Sequence, residues 1–209
     1  MKTFYILSAW VMGSIFLFAQ QKQYVLDSLS NRLINLEEVN VAGLRINENQ
    51  PLTFSEVKTE ALKERNLGQD LPILLNFLPA VVTTSNAGAG IGYTGIRVRG
   101  SDASRVNVTI NGIPYNDSES QGTFWVNLPD FVSSVESIQL QRGVGTSTNG
   151  AGAFGASLNL TTSGPSKNSF AEIATSAGSF GTLKNTIEFS TGLLNNHFEF
   201  SGRVATLKS

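Results

Sequence analysis

From Ile96 onward the apolar residues of this chain recur at every second position. Ile96 and Val98 alternate with Arg97 and Arg99, Val106, Val108 and Ile110 follow, Ile138 and Leu140 alternate with Gln139 and Gln141, and Leu158 and Leu160 alternate with Asn159 and Thr161. A period of two puts one set of side chains on one face of a pleated strand, so this stretch must build a sheet. Upstream the period is helical. Thr53 and Glu56 have capping-box spacing, and Val57, Ala61 and Leu62 continue it as far as Asn66-Leu67-Gly68, which predicts one amphipathic helix. A second helix is predicted from Asp70, with Pro72 tolerated in its first turn and Leu71, Leu74, Leu75 and Leu78 buried until Pro79 ends it.

Glycine and turn residues punctuate the strands. Thr83 to Gly95 holds four glycines and reads as a mobile loop. Asn111-Gly112 tolerates positive φ and signals a hairpin. Pro129-Asp130 is expected to open a short helix reaching Val135. Residues up to about 165 therefore read as a small mixed α/β domain whose strands are joined by long glycine-rich loops.

The last 45 residues alternate over longer segments. Leu183, Ile187 and Phe189 face one way and Lys184, Thr186, Glu188 and Ser190 the other; Phe198, Phe200 and Val204 alternate with His197, Glu199, Ser201 and Arg203. Segments of about ten residues with one apolar and one polar face suit a transmembrane barrel strand, and equally a half-buried antiparallel strand. The amino terminus bears on the choice. Lys2 precedes an apolar run from Phe4 to Ala19, broken only by Ser8, Gly13 and Ser14, and polar residues follow. That layout, too short to span a bilayer as a helix, is a secretory signal peptide over residues 1–19.

Several function classes find little support. The 209 residues carry a net charge of -1, which gives no electrostatic reason to expect nucleic acid. With no cysteine and a single histidine, His197, a zinc site would need mostly carboxylates, and none cluster at ligand spacing. Asn116-Asp117-Ser118-Glu119 resembles half a calcium loop but lacks its glycine and terminal glutamate. No serine sits in a nucleophile elbow, so the chain does not read as an enzyme. Gly150, Gly152 and Gly155 spell G-x-G-x-x-G, yet Ala156-Ser157-Leu158-Asn159-Leu160 behind them is a strand pattern. No helix amino terminus would then be there to hold a pyrophosphate, and no cofactor is expected.

The order of motifs is distinctive. Gln69-Asp70-Leu71-Pro72, Leu78-Pro79-Ala80-Val81-Val82, Ile96-Arg97-Val98-Arg99-Gly100, Asn111-Gly112-Ile113-Pro114-Tyr115-Asn116-Asp117 and Val135-Glu136-Ser137-Ile138-Gln139-Leu140-Gln141-Arg142-Gly143 come in turn, followed by the glycine run and Ser157-Leu158-Asn159-Leu160-Thr161-Thr162. From Leu36 to Gly164 this series resembles the plug domain of TonB-dependent outer-membrane receptors. The tail around Gly178-Ser179-Phe180-Gly181-Thr182 is similar to the first barrel strands of that family.

The resemblance implies an α+β chain: a mixed plug domain followed by the first antiparallel strands of a truncated transmembrane β-barrel. Its divisions would be a signal peptide (1–19), a periplasmic arm with a TonB box (20–50), the plug (51–165) and the first strands of an incomplete barrel (166–209). The box would be Leu36, Glu37, Glu38, Val39, Asn40 and Val41, binding TonB by strand addition, in which backbone hydrogen bonds supply most of the affinity. Arg99 and Arg142, with Arg97 as the alternative on the same strand, would meet glutamates of the barrel wall. Ligand-facing candidates are Tyr93, Asp102, Arg105, Tyr115, Phe124 and Trp125, whose aromatics could equally anchor their loops. The implied function is energised uptake across the outer membrane of a Gram-negative bacterium, with an iron-siderophore complex as the expected cargo. Haem, cobalamin, an oligosaccharide or a signalling role are the alternatives. A closed 22-stranded barrel needs several hundred more residues, so the chain reads as an amino-terminal fragment.

Overall fold

The computed structural model describes residues 45–46, 51–145, 149 and 152–209. The expected signal peptide and the box at Leu36 to Val41 lie outside the described residues. Ten strands are described: β1 Phe54–Lys58, β2 Val81–Ser85, β3 Thr94–Val98, β4 Val106–Ile110, β5 Ile113–Pro114, β6 Val135–Arg142, β7 Ala156–Thr162, β8 Phe170–Ala177, β9 Leu183–Ser190 and β10 Ser201–Lys208. They form a five-stranded sheet in the order β1-β6-β7-β4-β5, a β2-β3 ribbon and a three-stranded sheet in the order β10-β9-β8. Only β4 and β7 run parallel.

The alternating segments become strands where the period predicts them. Val106, Val108, Ile138, Leu140, Leu158 and Leu160 all point into one core, which Leu71, Leu74, Leu75 and Leu78 close from the other side. Asn111 and Gly112 take positive φ (50° and 82°) in the β4–β5 turn, as the dipeptide predicts.

Three expectations need correction. Phe54–Lys58 is a strand, and the helix α1 begins only at Thr59, running to Lys63. The segment alternates as well as it coils, and it completes the sheet by pairing antiparallel with β6 from Phe54↔Gln141 to Lys58↔Ser137. The second helix, α2, is one turn, Leu71–Leu74, with Asp70 at the position before it; the later leucines are buried from turns. Of the expected loop 83–95, both ends are strand, because β2 and β3 pair from Val81↔Val98 to Ser85↔Thr94. Pro129-Asp130 leads into a 3-10 turn, Phe131–Ser134.

The three-stranded sheet keeps the two faces that the alternation predicts. Cross-strand partners share a face, so Ile173, Ile187 and Val204 form an exposed apolar row across β8, β9 and β10. Lys184, Thr186 and Ser190 are buried on the other face. β10 begins at Ser201, later than expected, because 194–198 forms a tight turn closed by the bridge Leu194↔Phe198.

Candidate functional site

The mixed domain and the three-stranded sheet meet around a buried carboxylate. Asp130 takes a left-handed conformation (φ 51°) just ahead of the 3-10 turn. Its buried side chain accepts hydrogen bonds from Lys184 Nζ on β9 at 2.5 Å and from Arg203 Nη1 on β10 at 2.6 Å, with Ser133 Oγ at 2.7 Å. Arg203 Nη2 also donates to Ser134 Oγ at 2.8 Å. Two cations on neighbouring strands thus converge on one acid from the domain beside them. Burial alone would raise the Asp130 carboxyl; the hydrogen bonds from Lys184 and Ser133 and the charges of Lys184 and Arg203 outweigh it and hold the group below the ordinary aspartate value. Removing one member of such a buried cluster is costly, because the others stay buried and unmatched.

Beside this cluster lies a cleft of about 230 Å³ of mixed lining, with Leu62, Lys63 and Asn66 from the domain and Glu172, Lys184 and Glu188 from the strands. Lys63 Nζ lies 3.5 Å from Glu172, an exposed pair that contributes about 0–1 kcal/mol. At the β8–β9 turn the Phe180 ring rests on the loop between β2 and β3. A Cβ on Gly88 would sit 2.7 Å from that ring, so a larger residue there would push the exposed ring aside.

The same loop is fastened by Asp70. Its carboxylate accepts from Gly92 N (2.9 Å) and Thr94 Oγ1 (2.8 Å), and its own backbone N–H donates to Gly90 O. Burial pushes the Asp70 carboxyl up, and the two hydrogen bonds only partly oppose it. The next loop is stitched by Asn116, which accepts from Val108 N and donates to Val106 O and Gln121 O. Asp117 Oδ1, in the half calcium motif, serves the turn itself: it accepts from Ser120 N, Ser120 Oγ and Glu119 N, which draw its carboxyl down.

The ligand-facing candidates divide by burial. Tyr93 and Phe124 are exposed, whereas Trp125 is buried in the core and Tyr115 packs against it, so these two anchor their loop. Asp102 caps the backbone of Ala103 at 2.6 Å, and the Arg105 guanidinium lies over the Phe154 ring at 5.7 Å. His197 sits in the turn before β10, its Nδ1 2.5 Å from Asn195 O.

The candidate wall-contacting arginines are placed unequally. Arg99 donates to Thr53 Oγ1 at 3.0 Å, and Arg142 to Ser55 Oγ at 2.6 Å and Phe54 O at 3.3 Å, so both hold β1 within the mixed domain. Arg97 is exposed on β3. Among the described residues the strands are engaged through Asp130, Ser133 and Ser134, through Lys63 and Leu67, and through the Phe180 ring against the β2–β3 loop. Sequence reasoning put Lys184 and Arg203 on the correct face but missed Asp130, whose partners are 54 and 73 residues away.

The glycine run behaves as a steric device. Gly155 leads straight into β7, and a Cβ there would lie 2.5 Å from Ser101 Cβ and 3.0 Å from Arg105 O. The chain can pass this point only without a side chain.

Comparison with known proteins agrees with this geometry. No curated protein sequence matches the chain. Among solved structures, FpvA of Pseudomonas aeruginosa, bound to heterologous pyoverdines, aligns with a TM-score of 0.63 at 17% identity, covering 76% of this chain and 20% of that one. The ferric yersiniabactin uptake receptor FyuA of Yersinia pestis aligns at 0.54 and 18%, covering 75% and 24%. The alcaligin outer-membrane receptor FauA of Bordetella pertussis aligns at 0.58 and 16%, covering 75% and 27%. At these identities the likeness is one of fold, and the chain spans about a fifth to a quarter of the length of these structures. The family model of the TonB-dependent receptor plug domain matches residues 47–157, more than half of the chain. The chain therefore belongs to the TonB-dependent receptor plug-domain family.

Proposed function

We propose that the chain is the plug and first wall strands of an outer-membrane receptor that imports a ferric siderophore with energy delivered by TonB. The observation that carries this is the two-faced sheet β8–β10. Its apolar row Ile173, Ile187 and Val204 is exposed, while its polar face is bound to the plug through Asp130. A sheet greasy on one side and ion-paired to a domain on the other suits a barrel wall between lipid and lumen. The fold relatives named for pyoverdine, yersiniabactin and alcaligin support the siderophore class.

In this reading residues 51–165 are the plug, 166–209 the first wall strands, 20–50 the periplasmic arm and 1–19 the signal peptide. Leu36 to Val41 pairs with TonB. The exposed Arg97 is the arginine we assign to the wall beyond β10. Tyr93 and Phe124 are the aromatic side chains we place toward the ligand.

Deleting Leu36 to Val41 in the full receptor should abolish energy-dependent uptake of a radiolabelled ferric siderophore while leaving its binding at the cell surface intact. Uptake at the undeleted rate would overturn the box. A full receptor that binds none of the hydroxamate, catecholate and mixed-ligand ferric siderophores, yet retains haem or cobalamin, would overturn the cargo.

A further inference from the structure

Asp130 is one carboxylate held by two cations, so the cluster carries one positive charge more than its acid matches. The two cations differ in what flanks them on the strands. In the register of β8, β9 and β10, Lys184 lies between Ser176 and Leu207, neither of which offers it a charge. Arg203 lies directly opposite Glu188. Such partners share a face with their Cβ atoms about 4.5–5.5 Å apart, so an arginine and a glutamate placed this way can reach each other.

They are nevertheless not paired. Arg203 reaches off its strand to the domain, donating to Asp130 Oδ2 at 2.6 Å and to Ser134 Oγ at 2.8 Å. Glu188 is half-buried and borders the cleft beside the cluster. Its carboxylate accepts no hydrogen bond and forms no ion pair among the described residues. Its other cross-strand neighbour is a like charge, Glu172, which is itself turned to Lys63 on α1. The row Glu172, Glu188 and Arg203 therefore sends its two outer members to the domain and leaves the middle carboxylate idle beside the surplus cation. An acid opposite another acid is an unfavourable placement unless something else uses it.

We propose that Glu188 is the second acceptor of Arg203: the guanidinium exchanges between Asp130 on the domain and Glu188 on the neighbouring strand, so that this half of the contact opens without leaving a cation unmatched. The bonds set the balance. Toward the domain Arg203 makes two, one of them to a buried carboxylate, and toward Glu188 it makes one pair at a half-buried rim, so the first position is the resting one. Charge is matched after the exchange. Lys184 keeps Asp130, Arg203 takes Glu188, and a cluster of three becomes two pairs. Lys184 has no alternative acceptor of this kind, which makes it the firmer tie.

The inference needs only the contact between the domain and β9–β10, and it stands or falls whether or not the cargo and the box assigned above hold. The measurement is hydrogen exchange of the full receptor, read at Ser133. Its N–H is bonded to Asp130 O at 3.2 Å, and its hydroxyl accepts from Lys184. Glu188→Gln removes the second acceptor and leaves the resting contact intact. Exchange at Ser133 should slow about two- to fivefold, the scale of one cross-strand ion pair lost from the open state. The direction separates two roles, because a Glu188 that only added its charge to the resting cluster would, on removal, quicken exchange. Glu172→Gln relieves the same like-charge repulsion without touching an acceptor of Arg203, and should not slow exchange. With Arg203→Gln already in place, Glu188→Gln should have no effect. Unchanged or faster exchange in Glu188→Gln would overturn the proposal. So would equal slowing in Glu172→Gln, or slowing that persists without Arg203.

Discussion

Gly155 illustrates how a single position can be fixed by the space around it. Its missing Cβ is what lets β7 start beneath Ser101 and the Arg105 carbonyl. Gly155→Ala should destabilise the plug by about 1–3 kcal/mol, the usual cost of forcing a methyl into a filled site. Adding Ser101→Gly removes one of the two clashing groups, so the double variant should recover part of that loss, measured by denaturant unfolding of the plug signal in the full receptor. Strict additivity of the two changes would place the strain elsewhere. The strand that follows the glycine run was legible in the sequence. The identity of the approached atoms was not, because Ser101 and Arg105 lie some fifty residues earlier in the chain.

Elements are where the two buried aspartates act, and they act in opposite directions with pH. Asp130 ties the plug to β9 and β10, and its carboxyl is held below its ordinary value, so its stabilisation is complete above the unfolded aspartate pKa of about 3.9 and is lost as pH falls through the depressed folded value. Asp70 fastens the β2–β3 loop with a raised carboxyl; it binds its proton more readily folded than unfolded, so its loop gains stability as pH falls from that raised value toward the unfolded one. On acidification, hydrogen exchange should therefore slow at Gly90 and Gly92 before it quickens at Ser133 and Ser134. Asp130→Asn should abolish the second change only and, by leaving Lys184 and Arg203 without that carboxylate, loosen the contact by about 3 kcal/mol. Loss of protection in both segments at one pH would contradict the assignment. The strands themselves were legible, since a period of two survives whenever one face is buried. Phe54–Lys58 was not, because its capping-box spacing is a local signal, and the unpaired edge of β6 that claims it is a distant one.

The molecule as a whole is divided by solvent. The plug hides its apolar side chains in a core, whereas β8–β10 turn Ile173, Ile187 and Val204 outward at 78%, 54% and 69% exposure. In water such a row would be an aggregation liability on a sheet whose two edge strands are unpaired among the described residues. In a wall facing lipid it is what the solvent demands. The reading fixes the sign of a pair of substitutions on one strand. Ile187→Arg should cost about 2–4 kcal/mol of folding stability in a bilayer if the position is near the midplane, and less toward either interface. Thr186→Ser, on the plug-facing side of the same strand, keeps the hydroxyl and should cost far less. Folding of the full receptor into lipid vesicles, followed by its heat-modifiable migration on gels, measures both. Were Ile187→Arg as harmless as Thr186→Ser, the outward row would face water or protein, and β8–β10 would be an ordinary sheet. The sequence alone left those two cases open, because alternation records that a strand has two unlike faces and is silent on what each one touches.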